Sequence, residues 1–338
     1  MKVLILGGTG QISRAIVPLL QAKQHEVTLF NRGQRTVPPP GVRVIVGDRA
    51  DREGFRTRMQ AENFDVVIDM IAFTEEDARS TVDTFGGRVA QIIVCSSSSA
   101  YARPYRTVPI REDAEVLCDD PSFPYSYNKA QIERYLQALM REQGLPITLI
   151  RPSLTFGPGA MGFGVLRQNY GVIDRLRRGK PLVMFGDGLT PWSFTFAPDL
   201  AVAFAGAVGN PATYGQHYHA TNETPTVWRD LYLEAGRVLG VEPRLFYLPA
   251  QVLHRAAPNL CAHLLFEKSY PGLFDNSKIR RDIPEFAPRI GLHEGLATLF
   301  TWFEAEAPTI DPEKDALEDR LHAHHSALME QVADLYTK

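Results

Sequence analysis

Tyr125 and Lys129 stand four residues apart, a spacing that puts two side chains on one helix face about a turn from each other. An ammonium held there stabilises phenolate and lowers the tyrosine pKa toward a range where it exchanges a proton with a hydroxyl or carbonyl. Upstream, Ser96-Ser97-Ser98-Ser99 follows an apolar run, and a serine at a strand end can hydrogen-bond the same substrate oxygen. A second stretch, Leu6-Gly7-Gly8-Thr9-Gly10-Gln11-Ile12-Ser13, suits different chemistry. Gly7 and Gly10 permit a tight turn and close approach to a pyrophosphate. Ser13 is small enough for a helix to pack on the preceding strand. The helix start then offers its N–H groups and positive dipole end to phosphates, so the stretch reads as a dinucleotide-binding turn.

The ends of the later strands carry the rest of that site. Leu29-Phe30-Asn31-Arg32 places an amide and a cation where an NAD site usually has an acid for the ribose hydroxyls. NADP is therefore preferred and NAD is the second choice, with Arg35 as a further cation, unless Arg32 simply faces solvent. In Gly47-Asp48-Arg49 the acid either accepts from the adenine amino group or caps the following helix. In Asp69-Met70-Ile71-Ala72 the small Ala72 leaves room for the cofactor ribose.

The elements that must position these groups alternate along the first half. Val3–Leu6, Glu26–Phe30, Val42–Val46, Val66–Ile68, Gln91–Cys95 and Ile147–Arg151 are short, Val- and Ile-rich and apolar on both faces. Ile12–Lys23, Thr74–Phe85 and Tyr127–Gln143 have helical patterns. Buried strands alternating with helices predict an α/β protein with a doubly wound parallel sheet. After about residue 155 clustered glycines change the rhythm. Residues 1–155 read as the nucleotide-binding domain and 156–338 as a smaller C-terminal substrate lobe, with the chain re-entering the first domain around 190–220. From Pro312 onward Leu317, Leu321, Leu328, Val332 and Leu335 predict an amphipathic helix that docks on the body or on a neighbouring subunit.

Composition bounds the partners. The 338 residues are 44% hydrophobic and 22% charged with a net charge of −3, so no cationic surplus draws nucleic acid. No apolar stretch approaches the roughly 18 residues of a membrane span. Three widely spaced cysteines fit a reducing cytoplasm better than a disulfide framework. His217 and His219 fit one face of a strand. His322, His324 and His325 fit a solvated helix face, and no metal site is expected.

Together the motifs resemble the extended short-chain dehydrogenases/reductases, often called the NAD-dependent epimerase/dehydratase family, over roughly residues 1–300. The resemblance rests on the glycine turn, Ser96–Ala100, Tyr125 with Lys129, Arg151-Pro152 with Gly157-Pro158, and Gly186-Asp187-Gly188 followed by Asp199-Leu200-Ala201. It implies a Rossmann-like fold, with Ser98 acting beside Tyr125 and with Lys129 also holding the nicotinamide ribose. It assigns Gly7, Thr9, Gly10, Gln11, Ile12, Asn31, Arg32, Asp48, Arg49, Met70 and Ala72 to the cofactor. A homodimer through the Tyr125 helix is the family expectation. Three departures stand out. Ser98-Ser99-Ala100 replaces the acidic pair of sugar dehydratases, Leu154 follows Arg151-Pro152-Ser153 in place of the usual asparagine, and Trp192 stands near the place where relatives tend to have a pyrophosphate-pairing arginine. Phe73, Leu154, Phe156 and Trp192 either line an apolar substrate pocket or belong to the core, and Tyr101 and Arg103 either line the substrate site or are loop residues. The resulting expectation is an oxidoreductase moving a hydride between nicotinamide and a secondary alcohol or ketone of a small, sugar-like substrate. Its alternatives are an epimerase that retains its cofactor and a non-catalytic nucleotide- or RNA-associated protein. For the last, Asn31-Arg32-Gly33 and Gly47-Asp48-Arg49 are similar to a chloroplast RNA-binding branch.

Overall fold

A computed structural model describes residues 1–33, 38–159, 162–306, 309–333 and 335. Arg35 lies outside them. The chain divides into two units, each assembled from three stretches. The first holds Met1–Thr155, Ser193–Glu223 and Phe274–Arg289; the second holds Phe156–Trp192, Thr224–Leu273 and Ile290–Lys338.

In the first unit, β1 (Lys2–Leu6), β2 (Glu26–Asn31), β3 (Arg43–Val46), β4 (Val66–Asp69), β5 (Gln91–Cys95) and β6 (Ile147–Pro152) join the strand Gln216–Ala220 in one sheet. Its order is Gln216–Ala220, β6, β5, β4, β1, β2, β3, and every pairing is parallel. α1 (Gln11–Ala22) and the helix Ala197–Ala207 pack against one face, burying Ile16, Val17, Leu20, Leu200 and Phe204. On the other face α2 (Arg52–Gln60), α3 (Glu75–Phe85) and α4 (Pro124–Gln143) bury Phe55, Phe85, Ile132 and Leu136. Strand order reverses between β1 and β4, and in such sheets ligands bind beyond the strand carboxyl ends at that point. One polar pin crosses the core. The buried Gln91 amide donates to Thr148 Oγ1 at 3.0 Å, Ala207 O at 2.9 Å and Thr213 Oγ1 at 3.0 Å, and accepts from Gly209 N at 2.9 Å.

In the second unit two short parallel strands, Leu182–Phe185 and Leu245–Leu248, accompany the packed helices Asp230–Leu239 and Leu292–Ala305. The helix Pro312–Ala333 docks through its N-terminal part and leaves its last two turns exposed. Glu318 and Leu321 are buried there, whereas Leu328, Val332 and Leu335 are exposed. The expected apolar stripe is thus covered only in part, and the most buried position of the helix is a carboxylate, Glu318. The Glu318 carboxylate meets the Val183 N–H and Gln168 Nε2, both at 2.6 Å.

Candidate active site

The glycine turn joins β1 to α1. Gly7 has φ +85°, and a Cβ on it would meet Ile71 Cγ2 at 2.4 Å; on Gly8 a Cβ would meet Leu29 Cδ2 at 2.3 Å. Both glycines are demanded by the protein itself. Gly10 is different. It has φ −75°, and the nearest atoms to an added Cβ are Ser13 Oγ at 3.8 Å and Gly7 O at 3.9 Å. A side chain there would fill an open cradle, which is where a phosphate approaches a helix start. Gly10 caps α1 without a side-chain hydrogen bond, so the first N–H groups are left for a ligand. Gln11 adds a buried Nε2 without a protein partner. Ser13 Oγ donates to Gly7 O at 3.1 Å and closes the turn. These features fit a bound dinucleotide.

A cleft of about 400 Å³ opens from this turn, walled by Gly7, Thr9, Gly10, Asn31, Arg32, Asp48 and Arg49, and also by Ile71, Phe73 and Asp77. Five of the expected cofactor residues lie off this wall, Lys129 in α4 among them. Ile12 and Met70 pack against the core, Ala72 is buried within it, and Gln11 sits inside the first turn of α1. Asn31 Oδ1 accepts from Gly33 N at 2.8 Å, which shapes the β2 end, and Arg32 is exposed there. Asp48 Oδ1 accepts from Ala50 N at 2.9 Å; the cap of α2 is Asp51, which accepts from Gly54 N at 3.0 Å.

Arg49 turns inward. Its Nη1 donates to both oxygens of the buried Asp69 at 2.9 Å, and its Nη2 to Asp77 O at 2.6 Å and Thr81 Oγ1 at 2.9 Å. It contributes wall, while its guanidinium ties the end of β3 to β4 and α3. Burial works to raise the Asp77 carboxyl pKa. Hydrogen bonds from the Phe73 N–H and Arg52, with the Arg49 charge, outweigh it and hold Asp77 below the usual carboxylate range.

Beyond β5, Ser97 Oγ accepts from Ser99 N at 3.1 Å and shapes a 3-10 turn, Ser98–Ala100, that packs on α4 with Ser98 buried. α4 begins three residues earlier than the apolar pattern indicates, because Pro124 suits the first helical turn. Tyr125 is 44% exposed and Lys129 3%. The Lys129 ammonium donates to Ala72 O at 2.8 Å and Cys95 O at 2.9 Å, bridging the loop after β4 and the end of β5. Three protons minus these two bonds leave one for a ligand or Tyr125. Burial lowers the Lys129 pKa, with opposing pulls from Cys95 and Asp69.

Two expected substrate contacts need correction. Tyr101 is buried: its hydroxyl accepts from Arg151 Nη1 at 2.6 Å and faces His219 Nε2 at 2.8 Å. His219 Nδ1 lies 3.3 Å from Asp275 O, which can only accept, so Nε2 takes the Tyr101 proton. Trp192 is fully buried within the second unit, against Gly272, Trp228 and the Lys268 ammonium at 4.2 Å. Of the aromatics that fitted both core and pocket patterns, Trp192 and Phe156 went to the core and Phe73 did not. Phe156 is buried as well. Phe73 is exposed in the cleft wall, and Leu154 is partly exposed. Burial keeps His219 neutral and lowers the His217 pKa to about 3, which removes both as bases near neutrality. His322 and His325 pack around Phe246. Among the described residues no group of three His, Cys, Asp or Glu is placed to hold a metal.

Sequence reasoning missed the buried pair behind the serine run. Arg151 Nε donates to Glu133 Oε1 at 2.7 Å and Nη2 to Oε2, while Ser96 Oγ and Gln137 Nε2 (2.9 Å) donate to the same carboxylate. Glu133 lies four residues beyond Lys129, one further step along the same helix face, and that spacing was the available signal.

Among the described residues no helix is long and apolar enough to cross a membrane. The chain is similar to a 2'-dehydrokanamycin reductase of Streptomyces kanamyceticus, 27% identical over 86% of this chain and 81% of the relative. It is also 26% identical to the chloroplast stem-loop binding protein of 41 kDa b of Arabidopsis thaliana, over 66% of this chain and 59% of that one. In fold it is similar to an epimerase of Methanothermobacter thermautotrophicus, with a TM-score of 0.75, 17% identity and coverage of 90% and 92%. A sequence model of the NAD dependent epimerase/dehydratase family matches residues 3–220, spanning the glycine turn, the serine turn and the Tyr–Lys pair. The chain therefore belongs to that family and is an NAD(P)-dependent enzyme of its oxidoreductase and epimerase type.

Proposed function

We propose that the chain is an NADP-preferring reductase of a ketone, or in reverse of a secondary alcohol, on a sugar-like or other small substrate. One observation carries this reading: a buried ammonium, fixed by the Ala72 and Cys95 carbonyls, stands one helical turn from a half-exposed tyrosine. Bound nicotinamide would supply or take the hydride. Tyr125 gives its phenolic proton to the carbonyl oxygen as that oxygen becomes an alcohol, and Lys129 stabilises the phenolate left behind. Ser98 hydrogen-bonds the same oxygen. The exposure of Tyr125 lets water return the proton. An epimerase would run the same step out and back on a retained substrate.

The NADP preference is supported by Arg32, exposed on the cleft wall at the end of β2, where Asn31 stands in place of an acid. Arg32→Ala should weaken NADPH by about 1.5–3 kcal/mol more than NADH, as expected for a lost charge-assisted bond. Titration with each cofactor checks this, and equal losses would sink the preference. The step itself is tested by Tyr125→Phe, which should slow single-turnover NADPH oxidation by roughly 10²–10⁴-fold with cofactor affinity retained. Unchanged turnover would mean another proton donor. A homodimer through α4 and residence in a reducing cytoplasm complete the reading, the latter in keeping with three buried free thiols. The similarity to a stem-loop binding protein makes RNA the rival ligand; a titration across salt would expose it as a steep slope.

A further inference from the structure

Arg103 lies just beyond the serine turn, and its guanidinium sits where that turn, the following loop and the start of α4 meet. Nη1 donates to Ser99 O at 2.9 Å, Tyr101 O at 2.6 Å and Ser126 Oγ at 3.4 Å. Nη2 donates to Ser98 O at 3.3 Å and to Tyr105 OH at 3.0 Å, with the guanidinium carbon 5.1 Å from the Tyr105 ring centre. Its partners thus include the carbonyls of Ser98 and Ser99 and the hydroxyl of the residue next to Tyr125. A planar fork with five donors can hold acceptors from several segments at once, which a single ammonium does less well.

We propose that Arg103 is a positioning residue. It locks the Ser98 turn to the first turn of α4, so that Ser98 and Tyr125 converge on one substrate oxygen. The proposal rests on the roles of Ser98 and Tyr125 given above. Arg103 acts through main-chain carbonyls, so its effect must appear in the chemical step, where a misplacement of about 1 Å can cost on the order of 100-fold. Cofactor affinity should be spared, because none of these bonds touches the glycine turn.

The test is a double-mutant cycle between Arg103→Ala and Ser98→Ala. NADPH oxidation would be followed with dihydroxyacetone, ribulose and 2,3-butanedione as carbonyl probes. Arg103→Ala should lower kcat by about 10–100-fold with the Kd for NADPH within about 2-fold, and should cost less than about 3-fold more once Ser98 is already alanine, because coupled groups are not additive. Arg103→Lys should recover little. Should the alanine variant not fold, Arg103→Lys carries the same cycle, and Ser126→Ala, which deletes one of the bonds, should lower kcat by a few-fold. Additive losses, or a full kcat in Arg103→Ala, would overturn the proposal and leave Arg103 a stability residue. Tyr125→Phe separates the two readings. If it is inactive while Arg103→Ala is silent, only the positioning role fails; if it is fully active, or if the wild type oxidises NADPH with none of the probes, the reading beneath it fails too.

Discussion

Among the described residues each unit buries one arginine almost completely, and the two are built in opposite ways. In the first, Arg151 faces a single acid, Glu133, with no exposure on the carboxylate. The Arg151 charge and hydrogen bonds overcome burial and hold that carboxyl below its usual pKa. In the second, Arg175 meets Asp315 at 2.6 Å, Asp319 at 2.9 Å and Glu318 at 3.1 Å, and Lys180 joins Asp315 and Asp319 at 3.0 and 2.7 Å. Asp315 and Asp319 are 20% and 46% exposed, while Glu318 is sealed in. Arg178 also reaches Asp315 at 3.4 Å while it pairs with Asp174, so four acids share three cations. Burial raises Glu318 to about 7, against the lowering pull of Arg175. A closed pair with matched charge resists protons, and a cluster with a surplus acid takes one up. The serine turn is backed by the first kind; the C-terminal helix is held by the second.

Removing each cation should break the comparison most sharply. Arg151→Met strands Glu133 without water or a countercharge, and should cost about 3–5 kcal/mol in a denaturant titration. A loss near zero would show that water reaches the pair. Arg175→Met should cost less, about 1–3 kcal/mol, because Lys180 remains and two of the acids reach solvent. Equal losses at both sites would remove the distinction.

The smallest effect concerns pH. Glu318 has a folded pKa raised to about 7 from an ordinary 4.5. The folded state therefore binds the proton more tightly than the unfolded state. The stability this provides is complete below about pH 4.5 and is lost as pH rises through 7. Glu318→Gln, which cannot titrate, should gain relative to wild type by about 1 kcal/mol between pH 5 and pH 6. Asp315 and Asp319, held low by Lys180 and Arg175 despite burial, run the other way and act only in more acid solution. Melting temperatures of both proteins across that range decide it; a constant difference means that Glu318 stays ionised.

The glycine turn was legible because its demands are local. Gly7, Gly10 and Ser13 answer to a turn, a ligand approach and a helix contact within one short stretch. Tyr125 and Lys129 were legible through helical spacing. What stayed hidden depends on partners distant along the chain. Arg49 could not be seen turning to Asp69, nor Tyr101 to His219, since neither spacing is periodic. Trp192 satisfies a pocket pattern and a core pattern equally, and only packing against Gly272 decides between them. The helix expected after Asp48 could not be given bounds because just Phe55 and Met59 of α2 are buried, too few to make a stripe.

The interleaving of the two units has a consequence for how the chain is born. The sheet gains its edge strand from Gln216–Ala220, and its helical cover is completed by Ile279, Ile283 and Phe286. On the ribosome the first unit must wait, unfinished, while 156–192 and then 224–273 emerge. A nascent chain that has emerged as far as Thr155 would expose β6 as an open edge, and would hold the Gln91 amide without Ala207 and Thr213 to accept from it or Gly209 to donate to it. Contacts closed over such spans form slowly and leave apolar surface uncovered meanwhile, so translation speed and chaperone capture should govern the yield of this protein more than its final stability does.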